Sequence, residues 1–479
     1  MEPEEQVTPH SIEEDDDVIT MEEASYHPSA PSSELFDMRT TVDPSYIISL
    51  IRKLLPQNHG SPKELETGFA EKKNVVEAMD TYDEKQRLSR SAIDEAAWEE
   101  CGCILWDLAV NKNHALFMVE NLILEVLLAT LTVSKSVRVT EIGLGILANI
   151  ACHEVLGNHL VSTPGLIDIA VEKLFLDDSL CLCEAFRLFT LGLQGSDSVV
   201  WAKTLHSEHI LSRILWIAEN TLNPQLLEKS TGLLLAVVES QQEVSQFLLP
   251  QLMPLGLPDL LISLFACEMK HLSGEKTSDR YPVLDTILRV IEALSALDNY
   301  SKLISSNKEL LQLIYDLLTL PDKVEVSSSC VTAVVLMANI LTDEPDLTSV
   351  VSQDLPLLRG LLGLIPSVSN DLEARNALWS VLGRFLVCIQ EDEMSPSSLH
   401  QYVAAFVEKY DIIQDDIIDH QFSSTEAASL SRINSILQWW IEVKENVKND
   451  IIGVDGEEDE IVEKLRKCCE KYASRNSTG

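Results

Sequence analysis

One helix pattern keeps returning along this chain, and it restricts the fold more than any other feature. Val139, Ile142, Ile146, Leu147 and Ile150 fall at i, i+3, i+7, i+8 and i+11, one face of an α-helix. Comparable apolar helices, each preceded by turn residues, begin near residues 91, 137, 179, 224, 282, 327 and 371. Successive starts are 46, 42, 45, 58, 45 and 44 residues apart. Helical repeats of armadillo or HEAT type run about 40–47 residues. Such units bury their apolar faces only against their neighbours, so a long chain need not split into separate cores. The spacing predicts an all-α, armadillo/HEAT-like solenoid. The single long interval has a local cause, since Met269 to Arg280 reads as a polar inserted loop.

Composition agrees. Hydrophobic residues are 46% of the chain but aromatic residues only 6%. Leu, Ile, Val and Ala therefore carry the core, which favours stacked helices over a β-sandwich. The stretch Cys330 to Leu341 is apolar nearly all round, so the third helix of an interior repeat, buried on several sides, is expected there.

Flanking segments differ in character. Residues 1–43 hold thirteen Asp/Glu against one Arg, with Pro3, Pro9, Pro28 and Pro31 among them. Such a segment cannot bury enough apolar surface to offset its ordering entropy, and a disordered acidic tail is expected. Residues 44–90 read as a short apolar helix, ended by Pro56, followed by a polar linker. The repeat array is placed at 91–394 and C-terminal helices at 395–479, near 396–410, 425–447 and 457–473. The last carries Glu463-Lys464, Arg466-Lys467 and Glu470-Lys471 and reads as a polar capping helix, which a solenoid end requires.

The formal net charge of −40 repels phosphate backbones and anionic membranes. It points to protein partners, either extended or basic segments or apolar helices, and excludes direct nucleic-acid or membrane binding. The other reading is that the charge only keeps an apolar-rich array soluble. The opening Met1-Glu2-Pro3-Glu4-Glu5 lacks the positive start and apolar run of a signal peptide. No uncharged apolar run reaches the roughly 18 residues of a membrane span. Ten cysteines occur without a CxxC pair, which fits a reducing compartment. A soluble intracellular protein is expected.

A search for reaction chemistry finds none. Gly143-Leu144-Gly145-Ile146-Leu147-Ala148 matches G-x-G-x-x-A, but it lies inside a helical period and lacks the strand-turn-helix context of a dinucleotide site. Two glycines that let adjacent helices approach closely is the simpler reading. No HExxH, GxSxG or phosphate-loop pattern occurs, and the eleven histidines lack ligand spacing. No cofactor, no metal and no catalysis are expected.

Candidate binding residues come from a repeated core, Leu147-Ala148-Asn149-Ile150 and Met337-Ala338-Asn339-Ile340. A third-helix Asn in an armadillo array can project into the concave groove, where its amide offers donors and an acceptor to an extended backbone. The alternative is a structural hydrogen bond to a neighbouring repeat. Trp379 is a candidate for the same groove, with a core position as its alternative. Of the adjacent Trp439 and Trp440, about 100° apart on a helix, one is expected to be exposed. Arg138 and Glu141 share a helix face and are expected to contact neighbouring repeats instead of ligand.

Cys103-Ile104-Leu105-Trp106-Asp107-Leu108-Ala109, the run Arg138 to Cys152, and Val200-Trp201-Ala202-Lys203-Thr204-Leu205 occur in an order that resembles the serum amyloid A-like (SAAL) protein family. The resemblance covers about residues 101–205, and Tyr46 to Pro56 resembles the helix that precedes the array there. It implies an armadillo-type fold without known catalysis. It also implies nuclear residence, with the cytoplasm as a further compartment, and a role in promoting cell proliferation. The expected function is a non-catalytic protein-binding scaffold. The alternative is an acidic chaperone or adaptor for a basic client.

Overall fold

The computed structural model describes residues 42–55, 95–274, 280–348, 354–389, 394–419, 424–447 and 456–475. The acidic tail up to residue 41 and the linker from 56 to 94 lie outside the described residues. Among those described, every regular element is a helix.

Ten helices carry the argument: α1 (Pro44–Lys53), α2 (95–108), α3 (Val137–Ala151), α4 (Ser179–Gln194), α5 (Pro224–Glu239), α6 (Tyr281–Ser295), α7 (Ser327–Asp343), α8 (Leu372–Val387), α9 (Ser424–Val447) and α10 (Gly456–Arg475). Packing divides the chain into Met1–Tyr46 and Ile47–Gly479. In the first unit the described residues open α1, where the Ser45 amide donates to Asp43 Oδ1 at 2.8 Å. In the second, Ile47, Leu50, Ile51 and Leu54 are buried, and Trp98 Nε1 donates to the Leu54 carbonyl at 3.2 Å.

From α3 to α9 each long helix packs along the next. Intervening elements separate successive long helices, for example Ser198–Leu205 and Glu208–Asn220 between α4 and α5. One helix from each interval joins a second row: Glu208–Asn220 on Leu257–Ser273, then Lys308–Leu318, Leu355–Leu362 and Pro396–Glu408. This three-helix unit, repeated, is the armadillo-type solenoid that the spacing predicts.

Four of the long helices start at a side-chain cap. Ser136, Asp178, Asn223 and Asp371 accept from the first free backbone amides of α3, α4, α5 and α8, which satisfies donors that a helix start leaves open. The C-terminal ends are closed by the following repeat. Asn149 Nδ2 donates to the Trp106 carbonyl at 2.8 Å and Arg432 Nε to the Leu386 carbonyl at 3.0 Å. Arg384 Nη1 reaches the Leu341 carbonyl in the same way. Cationic donors suit these sites, since helix C-termini carry unpaired carbonyls and partial negative charge.

The glycines of the G-x-G-x-x-A run are packing residues. A Cβ on Gly145 would sit 2.2–2.7 Å from the Trp106 indole, and one on Gly143 would sit 3.1 Å from Leu131. Gly192 likewise admits an indole, that of Trp201 on the following helix Ser198–Leu205, 2.4–2.8 Å from its Cβ position.

Four expectations need correction. The inserted loop does not begin at Met269: the helix Leu257–Ser273 continues through it. Met269 and Glu268 are buried, and Arg280 Nε holds Glu268 Oε2 at 2.8 Å, so packing extends the helix into polar sequence. A further helix, Tyr410–Asp419, follows Pro396–Glu408 and buries Ile413, Asp416 and Ile417. The helix α3 is buried all round from Val139 to Ile150, including Glu141 and Asn149, and not on one face only. Conversely α7, apolar all round in sequence, leaves Val331, Thr332, Val335, Ala338 and Asn339 half-buried. Its flanks are covered by α6 and α8 and its front is open.

Candidate protein-binding surface

That open front is the site. On α7 it presents Val331, Thr332 and Val335. On one side α6 contributes Arg289 and Glu292, and on the other the start of α8 contributes Asp371, Glu373 and Ala374. These eight residues line an open cavity of about 180 Å³. Two valines, the Thr methyl and Ala374 supply an apolar floor. Three carboxylates and one guanidinium form the rim. Arg289 is already engaged, with Nη2 2.8 Å from Glu239 Oε1 on α5.

The electrostatics follow from that count. Burial raises the Glu292 pKa above its ordinary value of 4.5, and the nearby Glu373 and Glu239 raise it further, against a smaller opposing effect of Arg289. The pocket therefore holds more negative charge than its own cation offsets. A long side chain with an apolar stem and a cationic head matches it chemically.

The sequence-derived candidates fall elsewhere. Asn149 is buried, and both ends of its amide are used: Nδ2 on the Trp106 carbonyl, and Oδ1 accepting from Arg187 Nη1 at 2.8 Å. Glu184 fixes that arginine at 2.6 Å. The groove reading of Asn149 is thereby corrected: it joins α2, α3 and α4. Trp379 is also corrected. It is 0% exposed, and its Nε1 donates to Asp416 Oδ2 at 3.0 Å. Asn339 donates to Ser295 Oγ at 2.9 Å and stays half-buried, one to two turns beyond Val335 and Thr332 on α7. The structure does not bring the three together.

Arg138 and Glu141 pair at 2.7 Å, and Arg138 Nη2 reaches Cys103 Sγ on α2 at 3.6 Å. Trp439 is the exposed member of its pair, and Trp440 is buried against His400. Sequence reasoning missed Arg289, Glu292, Asp371 and Glu373. Arg289 and Glu292 lie on the polar stripe of an amphipathic helix, a pattern that reads as solvated face. Only the packing of three repeats turns that stripe into a cavity wall.

The Asn149 geometry fixes an expected result. Asn149→Ala leaves the half-buried guanidinium of Arg187 and the Trp106 carbonyl each short of a partner, so stability should fall by about 1–3 kcal/mol. Partner affinity of the folded fraction should not change. Urea unfolding beside a binding titration separates the two quantities.

Among the described residues, no group of three or more His, Cys, Asp or Glu is placed to hold a metal ion. No single described helix is long and apolar enough to cross a membrane. The repeat unit and its two helix rows define an armadillo-type helical-repeat protein. No family model matches the chain. Curated proteins that match include zebrafish (Danio rerio) Protein saal1, 30% identical over 148 residues, and human (Homo sapiens) Protein SAAL1, 30% identical over 150 residues. The alignments cover 30% and 31% of this chain and 32% and 31% of the relatives, so the chain spans about a third of the length of the curated proteins it matches. Over that stretch it is a homologue of the SAAL1 proteins, as the sequence resemblance led us to expect. Among solved structures, an engineered protein aligns over 91% of this chain and 99% of its own, at 13% identity and a TM-score of 0.45. A designed armadillo repeat protein aligns over 60% of this chain and 99% of its own, at 12% identity and a TM-score of 0.42.

Proposed function

We propose that the chain is a protein-binding scaffold that takes an extended, basic segment of a partner along its row of long helices. The observation that supports this reading is the cavity on α6, α7 and α8, with its apolar floor and acidic rim. A Lys or Arg of the partner would lay its stem on Val331, Val335 and Ala374 and set its head against Glu292 and Glu373. Asn339, on the same face of α7, would meet the partner's backbone beyond the pocket. The nuclear residence and proliferation role implied by the SAAL resemblance belong to the same reading, and imaging of a tagged full chain tests the compartment.

The acidic-adaptor reading rests on the net charge of −40. The two readings separate at Glu292. A carboxyl whose folded pKa is raised supports the fold fully below its ordinary range and loses that contribution as pH rises through the folded value. At neutral pH the ionised Glu292 is therefore a cost to the fold. Glu292→Gln should hold or raise the melting temperature while it weakens capture of a basic partner. A photo-crosslinker at Thr332 should label partner residues next to Lys or Arg. Labelling that is equal at Thr332 and at the distant Thr204 would point to diffuse charge instead.

A further inference from the structure

Glycines inside the long helices serve packing, with one exception. Gly102, Gly143, Gly145, Gly192 and Gly383 each have a neighbouring side chain 2.2–3.1 Å from the position of an added Cβ. Gly232, in the middle of α5, has nothing within 4 Å among the described residues. A glycine inside a helix costs the fold backbone entropy that alanine would not, and packing within the chain does not require this one. What a missing side chain does provide is room for another backbone to come close.

The direction in which Gly232 opens follows from its surroundings. Helix α5 packs on α4 and α6 and on Glu208–Asn220 and Gln242–Leu252. From Leu226 to Glu239 the residues left unburied are Glu228, Lys229, Gly232 and Glu239. Glu228, Gly232 and Glu239 fall at i, i+4 and i+11, one face of the helix. Glu239 Oε1 accepts from Arg289 Nη2 at 2.8 Å, and Arg289 lines the pocket on α6, α7 and α8, so this face adjoins the pocket. The register agrees. Gly232 is the ninth residue after Asn223, which caps α5, and Val335 of the pocket floor is the ninth after Val326, which precedes α7. Lys229 Nζ pairs with Glu228 Oε1 at 3.0 Å, so the surface one turn from Gly232 offers no uncompensated charge. It suits main chain more than a charged side chain.

We propose that Gly232 is a contact point for the main chain of the extended, basic partner segment, which continues from the pocket across α6 onto α5. This path extends the binding proposed at the pocket and rests on it. Packed helix axes lie about 8–10 Å apart, so Val335 and Gly232, two helices apart, are bridged by about five or six residues of extended chain. The glycine is then kept at a cost to the fold because bulk at this position would lift the segment off the surface.

The test titrates two labelled peptides, each with arginine at alternate positions, with the full chain near physiological salt. One has about five residues and reaches the pocket alone, and the other has about thirteen and spans both places. Gly232→Leu fills open space, so the melting temperature should hold or rise. It should weaken binding of the long peptide about tenfold, the size of an overpacked contact, and leave the short one unchanged. Ser212→Leu, an equal gain of bulk at an exposed position on Glu208–Asn220, should change neither. Unchanged affinity for the long peptide in Gly232→Leu overturns the path, and the pocket is then judged separately by Glu292→Gln. Equal weakening of both peptides also overturns it, since the substitution would then act through the pocket. Wild type that binds neither peptide sinks pocket and path together. If Gly232→Leu fails to fold by circular dichroism, Gly232→Ala replaces it, with about threefold weakening of the long peptide expected and unchanged affinity counting against the proposal.

Discussion

Replacing Arg375 with alanine should cost the fold about 3–5 kcal/mol, the usual penalty for breaking a buried ion network by removing one partner. The guanidinium leaves α8 and reaches two carboxylates. Nε and Nη2 donate to Asp416 at 3.0 Å each, and Nη1 donates to Glu426 Oε1 at 2.6 Å. Asp416 sits on Tyr410–Asp419 and Glu426 on α9, so one residue ties three helices. All three side chains are 1–2% exposed, which leaves the carboxylates no water once the arginine is gone. Trp379 adds a third donor to Asp416, and Ser429 Oγ donates to the Trp379 carbonyl at 3.1 Å. The loss should localise, with faster amide exchange across 410–447 than across α3 to α5. Replacing all three with apolar residues of similar volume should be far milder than the single change, because no charge is then left buried. A single-variant loss of under about 1 kcal/mol would mean the network is wetter than its burial states.

The second large effect is at Gly145. Its Cβ position lies 2.2–2.7 Å from three atoms of the half-buried Trp106 indole, so the ring must shift to admit a methyl group. Gly145→Ala should destabilise by about 1–3 kcal/mol or more through overpacking between α2 and α3. Gly232 is the control. It lies in mid-helix on α5 with nothing within 4 Å of its Cβ position, so alanine there should stabilise by about 0.5–1 kcal/mol. Opposite signs from the same substitution, read by urea unfolding, isolate close approach from helix propensity. Two changes of the same sign would contradict the packing assigned to Gly145.

The repeat period was legible because it rests on local chemistry. Caps at Ser136, Asp178, Asn223 and Asp371 and the apolar spacing are both properties of short windows. What a helix faces is a property of its neighbours, and there the sequence misled. The apolar stripe of α3 understates its burial, because Glu141 is taken up by Arg138 and Asn149 by Trp106 and Arg187. The apolar surface of α7 overstates its burial, because the front of that helix is left as a cavity floor. Asn149 and Asn339 share a motif and a task, each donating to the preceding long helix region, so their repetition records how repeats are joined. The acidic rim was hidden for the same reason. Glu292 and Glu373 are 81 residues apart in sequence and meet only through stacking.

The pocket on α6, α7 and α8 is the centre of this account, and a titration tests it most directly. A labelled peptide with arginines at alternate positions, so that they share one side of an extended chain, is titrated with the full protein at low and high salt. Wild type should bind, and Glu292→Gln with Glu373→Gln should weaken binding about tenfold or more, the size of losing a charge-paired contact. The melting temperature of that variant should not fall, and part of the wild-type affinity should survive high salt because the apolar floor is unaffected by screening. Unchanged affinity in the double variant, with all binding lost at high salt, would contradict the pocket and assign the interaction to the diffuse charge of the chain.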